Sequence, residues 1–218
     1  METGKTLLIA MGHKSRNGKD TACDYLMEKY GTKYQFRKFS FAEALKREVA
    51  ALGDLRAFCA AFGVPYDENP PLDDPFCPAP YGKQRRLLQI FGTEYKRAAD
   101  PDYWVKRTME RICTEASEIA LLSDMRFLNE FRAVKEMGGI TVRVERPNFT
   151  SGAEGHISET ELDDAPYDYT IRSQNLRALR CNVDWVFGEI ISDLREPLAE
   201  VGGVGQQAII LPSAKGNK

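Results

Sequence analysis

The stretch from Thr6 to Tyr30, TLLIAMGHKSRNGKDTACDYLMEKY, restricts what this chain can fold into more than any other. Leu7, Leu8, Ile9, Ala10 and Met11 form an apolar run with the length of a buried strand. The run stops at Gly12, and a polar loop carries Lys14, Arg16, Gly18 and Lys19. Cys23, Leu26, Met27 and Tyr30 then recur at helical spacing until Gly31 offers a C-cap. Strand, glycine- and lysine-bearing loop, then helix is the context that a phosphate-binding loop requires. A helix N-terminus presents unpaired N–H groups and partial positive charge, and glycine lets the backbone approach phosphate oxygens. Lys19 would add a full charge at the β/γ end of a nucleoside triphosphate.

The loop is irregular. Five residues separate Gly12 from Gly18, one more than the regular spacing, and Asp20 stands where a Ser or Thr hydroxyl would meet Mg2+. Thr21 offers a hydroxyl one place on. A plain β-to-α turn with surface lysines has the same local look, so the assignment leans on the residues downstream.

At 218 residues the chain suits one domain, or one with an insert, and can bury a sizeable core. A net charge of −2 implies no general polyanion-binding surface, so no nucleic-acid partner is expected and any basic site must be local. No apolar stretch reaches membrane-spanning length and no signal-peptide pattern opens the chain, so no membrane partner is expected. Cys23, Cys59, Cys77, Cys113 and Cys181 are odd in number and scattered, which argues for reduced thiols in a cytoplasmic compartment.

A second strand is expected at Tyr34 to Phe39, and Ser40 with Glu43 reads as a capping box opening a helix that holds Lys46. Between Gly63 and Gly82 six prolines forbid regular structure. Leu87, Leu88, Phe91 and Tyr95 then give a helical stripe, and Asp100-Pro101 reads as the start of another helix with Val105, Met109 and Ile112 inward. Arg85, Gln89, Glu94, Arg97 and Asp102 could line a cleft or form a solvated face.

Ile119 to Ser123 is an apolar run that ends in Asp124. In a parallel sheet, ligands sit at the carboxyl ends of strands, which would set Asp124 beside the loop as a Mg2+-linked carboxylate, with Arg126 in the same crevice. The plainer role for Asp124 is a helix N-cap. Phe127, Phe131 and Val134 share a helix face, and Ile140 to Glu145 alternates as a half-exposed strand toward a sheet edge. Pro147 to Pro166, glycine-bearing and acidic, reads as a mobile lid. Asp168 to Arg172 is a candidate last strand, and Asn175 caps a long helix with Leu176, Leu179, Val183, Val186, Ile190 and Leu194 inward. Strands alternating with helices specify an α/β sandwich with a mainly parallel sheet: a P-loop kinase-type domain over 1–196, with an insert near 53–115, a lid near 147–166 and a disordered tail at 197–218.

The ordered segments GHKSRNGKDT, FSFAEALK, LLQIFGTEYKR with DPDYWV, LLSDMRFLNE and HISETELDD resemble the signatures of viral deoxynucleoside monophosphate kinases. Animal-type phosphomevalonate kinases are similar to these. The resemblance spans about Leu7 to Leu194 and accounts for the G-K-D variant of the loop. It implies transfer from ATP, with Mg2+, to a deoxynucleoside monophosphate. Gly12, Lys14, Arg16, Gly18, Lys19, Asp20 and Thr21 would hold ATP phosphates and metal, and Asp124 with Arg126 would stand at the transfer centre. Lys46, Gln89, Phe91, Gly92, Arg97 and Trp104 would belong to the acceptor side, with Arg97 as a phosphate clamp and Ser158 and Glu159 in the lid. No arginine lies between Pro147 and Ile171, so cations for the transition state would come from Arg16, Arg126 or Arg146.

Three functions stay open at this point. Clustered Lys and Arg without a His–carboxylate pair favour an acceptor that is already anionic, hence a monophosphate. A phosphorylated non-nucleotide acceptor keeps the same fold; a nucleobase would instead want an aromatic platform, for which Phe91, Tyr95, Tyr103 and Trp104 are the candidates. A nucleotide-holding switch without transfer leaves the acceptor-side residues without a role. A homodimer is left open.

Overall fold

The computed structural model describes residues 6–77, 82–149 and 159–194. Five strands, β1 (Leu7–Gly12), β2 (Phe36–Phe39), β3 (Ile119–Met125), β4 (Ile140–Glu145) and β5 (Tyr169–Arg172), form one sheet in the order β2-β3-β1-β4-β5. Every neighbouring pair is parallel, with Ile9 opposite Leu121 on one side and Ile140 on the other. The two-residue period of the central strands divides the core. Ile9 and Met11 of β1, with Ile119 and Leu121 of β3, pack under α1 (Lys19–Tyr30) and α7 (Leu176–Asp193). Leu8, Ala10, Ala120 and Leu122 face the other way, against residues of α2 (Phe41–Ala50), α5 (Tyr103–Thr114) and α6 (Leu128–Glu136). This is the expected three-layer α/β sandwich.

A third core lies beyond the sheet. Ala44 and Val49 of α2 meet Leu55 and Cys59 of α3 (Leu55–Ala61), Leu87 and Leu88 of α4 (Arg85–Gln89), and Phe91 and Trp104. From Ile90 to Arg97 the chain runs on from α4 as a π-helix, a rare form that is frequent at functional sites. The proline-rich segment has no helix or strand among its described residues, yet it is pinned. Asp74 is buried between Lys46 Nζ at 2.7 Å and Lys83 Nζ at 2.9 Å. Burial pushes its carboxyl up, but those two lysines outweigh it and hold it at about 2.

Several expectations are corrected. The second strand begins only at Phe36. Helix α5 starts at Tyr103, because Asp100 folds its carboxylate onto the Asp102 N–H and keeps Pro101 in a turn. Strand β4 lies next to the edge, as expected, with β5 as the last strand, but it is more closed than its alternation suggests: Thr141 is fully buried, and Asp168 accepts both its N–H and its hydroxyl. Asn175 caps α7 by accepting the Ala178 N–H, but Leu176 and Leu194 point outward. Ser40 accepts the Glu43 N–H as expected, whereas the Glu43 carboxylate turns to Arg47 and Arg111 instead of closing the box. The tail expected at 197–218 lies outside the described residues, and so does Ser158.

Candidate functional site

The loop between β1 and α1 bends through three left-handed residues, His13, Arg16 and Gly18, of which only Gly18 reaches that region without a steric cost. Gly18 accepts the Ala22 N–H and begins α1, so the first turn of α1 opens toward the loop. Lys19 is 5% exposed and its ammonium donates to the carbonyls of His13, at 2.9 Å, and Lys14. Burial, reinforced by the Arg126 charge, lowers its pKa to about 8 against the pull of Asp124, Asp20 and Glu159.

The loop faces a polar cleft of about 180 Å³ lined by Arg16, Gly18, Lys19, Asp20, Thr21, Ser123, Asp124 and Arg126. It lies at the carboxyl end of β3, next to the start of α1, where parallel sheets place their ligands. Residues from two segments more than a hundred positions apart therefore meet here. Asp20 pairs with Lys38 at 3.0 Å, and Thr21 is exposed. Asp124 is not the N-cap of the helix that follows its strand, which begins after Phe127. It lines the cleft, and its two oxygens accept the Phe41 and Ala42 N–H groups at 2.8 and 2.9 Å, capping α2. Burial raises its carboxyl pKa despite these bonds and the Arg126 charge.

The second half of the expected lid is docked. Glu159 is buried; it accepts the Ser15 N–H at 2.9 Å and pairs with Arg126 Nη1 at 3.2 Å. Glu161 accepts the Leu128 N–H, Leu162 is buried among the apolar residues above β3, and Asp163 meets His13 Nε2 and Lys14 Nζ. A His–carboxylate pair therefore does exist, contrary to the sequence reading, though neither residue is among those lining the cleft. Residues 159–166 are thus a strap over the loop, with partners too distant in sequence for an acidic run to announce them. Gly12 is the last residue of β1, where an added Cβ would stand 2.5 Å from the Tyr167 hydroxyl and 2.8 Å from Met125 Cε.

None of the described residues expected on the acceptor side lines this cleft, and they divide among other places. Phe91 and Trp104 are buried in the third core, where Trp104 Nε1 donates to the Gly92 carbonyl at 3.1 Å and Gly92 presses on Leu45. Buried there, they do not form a stacking surface; of the four candidate aromatics only Tyr95 and Tyr103 keep exposure. Lys46 is held by Asp74, and Gln89 is exposed beside Arg86. Arg97 is paired neither with Glu94 nor with Asp100. Its Nη2 meets Glu130 at 2.8 Å and its guanidinium lies 4.1 Å from the centre of the Phe127 ring. Arg146 lies against Phe149.

Glu130 was missed in the sequence. It is 2% exposed and also accepts the N–H groups of Arg126, at 2.7 Å, and Phe127, at 3.1 Å. Burial raises its pKa to about 7, with Arg97 pulling down and Asp124 pushing up. The available signal was its place three residues into a helix, the position from which a Glu reaches back to free N–H groups.

The profile of the deoxynucleotide monophosphate kinase family matches residues 83–180, a span that holds Arg97, Asp124, Arg126, Glu130 and Glu159. A protein of Acanthamoeba polyphaga mimivirus, provisionally named a deoxynucleotide monophosphate kinase, is 30% identical over 178 residues, which is 72% of this chain and 81% of the viral one. This chain belongs to the deoxynucleotide monophosphate kinase family. The kinase also matches the uncharacterized protein ORF77 of Ictalurid herpesvirus 1 (strain Auburn), 28% identical over 167 residues, 74% of this chain and 61% of that one. A shikimate kinase from Acinetobacter baumannii, solved with shikimate, superposes on 88% of this kinase and 97% of itself, with a TM-score of 0.45 and 13% identity. Among the described residues, no helix of the kinase is long and apolar enough to cross a membrane.

Proposed function

We propose that this kinase transfers the γ-phosphoryl group of ATP to a deoxynucleoside monophosphate, yielding the deoxynucleoside diphosphate and ADP. The observation that carries the reading is the meeting of Arg16, Lys19, Asp124 and Arg126 on one cleft. An acceptor phosphate oxygen forms a bond to the γ-phosphorus while the bond from that phosphorus to the β–γ bridging oxygen breaks, and ADP leaves with the electron pair. The acceptor phosphate has a second pKa of about 6, so it arrives anionic and needs no general base. What the site must provide is alignment and charge neutralisation.

Gly18, the loop amides and the first turn of α1 suit the donor phosphates, with Lys14 and Lys19 as cations. Arg16 and Arg126, which line the cleft, are the candidates for charge that develops during transfer, because no arginine lies between Pro147 and Ile171. Asp20, Thr21 and Asp124, joined by the Ser123 hydroxyl, are an oxygen-only set on one wall, which fits Mg2+. Bound Mg2+ would neutralise charge across the β- and γ-oxygens. Among the described residues, no three His, Cys, Asp or Glu residues gather into a metal site.

The insert near 53–115 would take the acceptor, with Lys46, Gln89 and Arg97 as polar candidates and Phe91, Gly92 and Trp104 supporting them by packing. The test is a coupled ADP-release assay with deoxynucleoside monophosphates, ribonucleoside monophosphates and phosphomevalonate. Turnover confined to deoxynucleotides is expected. Turnover with phosphomevalonate alone would replace the acceptor, and ATP binding without ADP release on any acceptor would overturn the reading.

A further inference from the structure

Arg126 lines the cleft, Arg97 belongs to the proposed acceptor side, and one buried side chain touches both. Glu130 takes the Arg97 guanidinium on one oxygen at 2.8 Å and the Arg126 and Phe127 N–H groups on the other. The Phe127 ring lies under the same guanidinium, at 4.1 Å. On its outer side, the Arg126 guanidinium is fixed by Glu159, whose second oxygen reaches the loop at Ser15. The atoms thus run continuously from the phosphate-binding loop, through Glu159, Arg126 and Glu130, to the end of the π-helical segment at Arg97. A mere helix cap would need neither the guanidinium nor the ring.

We infer that Glu130 is a positioning residue for phosphoryl transfer: it sets the backbone turn that aims Arg126 into the cleft and holds Arg97 in register with it, so that acceptor phosphate and donor phosphate meet in line. The inference rests on the acceptor-side reading above. It assigns no contact between Glu130 and substrate. Its signature is coupling, because a residue acting through Arg97 loses its effect once Arg97 is gone.

The experiment is a double-mutant cycle on the full chain, with Glu130→Gln, Arg97→Met and the pair, run near pH 8, where Glu130 is mostly ionised, with ATP binding measured separately by calorimetry. Gln keeps an oxygen for the two N–H groups and removes the charge that holds Arg97. Expected is a loss of roughly tenfold or more in kcat/KM for the acceptor in each single variant, and a double variant no worse than Arg97→Met. The dissociation constant for ATP should stay within about threefold, since Lys19 and the loop are untouched. Phe127→Leu keeps the ion pair and loosens only the ring under Arg97; it should shift acceptor KM in the same direction by less. Losses that simply multiply in the double variant, or a fall in melting temperature with unchanged acceptor kinetics, would overturn the inference and leave the reaction standing. A wild-type protein inert toward every monophosphate would overturn both.

Discussion

Lys19 holds its charge in a place with little water and two backbone carbonyls for company. Lys19→Ala removes that buried charge and should leave a folded chain, checked by circular dichroism. It should lose about 3 kcal/mol or more of transition-state stabilisation, over a hundredfold in kcat, in the ADP-release assay. Near wild-type turnover would dismiss the loop as the donor site. Arg97 calls for a different experiment from the one that sequence suggests. A solvated arginine could be reversed to Glu at little cost, but here reversal sets a second carboxylate against buried Glu130. Arg97→Glu is therefore expected to destabilise the chain by about 3–5 kcal/mol in urea titration, as breaking a buried pair does. That is why the neutral Arg97→Met belongs in the kinetic cycle. Sequence logic found Lys19, Asp124 and Arg126 because their positions follow from a loop and a strand end. It missed Glu130 and the pairing of Arg97 because both depend on α6 meeting the π-helical segment.

At the scale of elements, the strap of residues 159–166 decides how the loop is held. An acidic run was legible as a lid, but its partners, the Ser15 and Leu128 N–H groups and the His13 and Lys14 side chains, lie on other segments. Leu162 is the strap's apolar anchor. Leu162→Ala should cost about 2–5 kcal/mol in urea unfolding if the strap folds with the core. A change below that range would mean that the strap detaches without disturbing the domain. The π-helical segment was not legible for another reason. Its apolar stripe has ordinary helical spacing, and a widened turn leaves no mark in a hydrophobic pattern. The place of strand β4 was legible but its exposure was not, because alternation usually means one solvated face, whereas Thr141 is closed off by Asp168.

For the molecule as a whole, Lys19 and Glu130 impose a pH dependence whose signs are opposite. Glu130 has a folded pKa raised to about 7, so the folded state binds more protons than the unfolded chain between about 4.5 and 7, and stability falls as pH rises through that window. Lys19 has a folded pKa lowered to about 8; the folded state binds fewer protons between about 8 and 10.5, and stability recovers as pH rises there. Both penalties are largely present between the two windows. Chemical denaturation across pH should show these groups contributing a trough near pH 7 to 8, and Glu130→Gln should flatten its acid side. A bound triphosphate that pairs with Lys19 should raise the melting temperature in full below about pH 8, where Lys19 is charged before binding, and by progressively less above it. A nucleotide-induced shift that does not fall on going from about pH 7.5 to well above pH 8 would separate Lys19 from the phosphates.

A glycine in a phosphate-binding loop is usually explained by the anion it lets in. Gly12 has another occupant to admit: the phenol of Tyr167, whose hydroxyl stands 2.5 Å from where a Cβ would be. Tyr167 follows directly on the strap, so the volume at position 12 and the seating of residues 159–166 are one mechanical fit. A single methyl group there would wedge the ring outward and loosen the strap while leaving the amides and Lys19 chemically intact. Genetically, Gly12 would then behave as an allele of the cover rather than of the phosphate site.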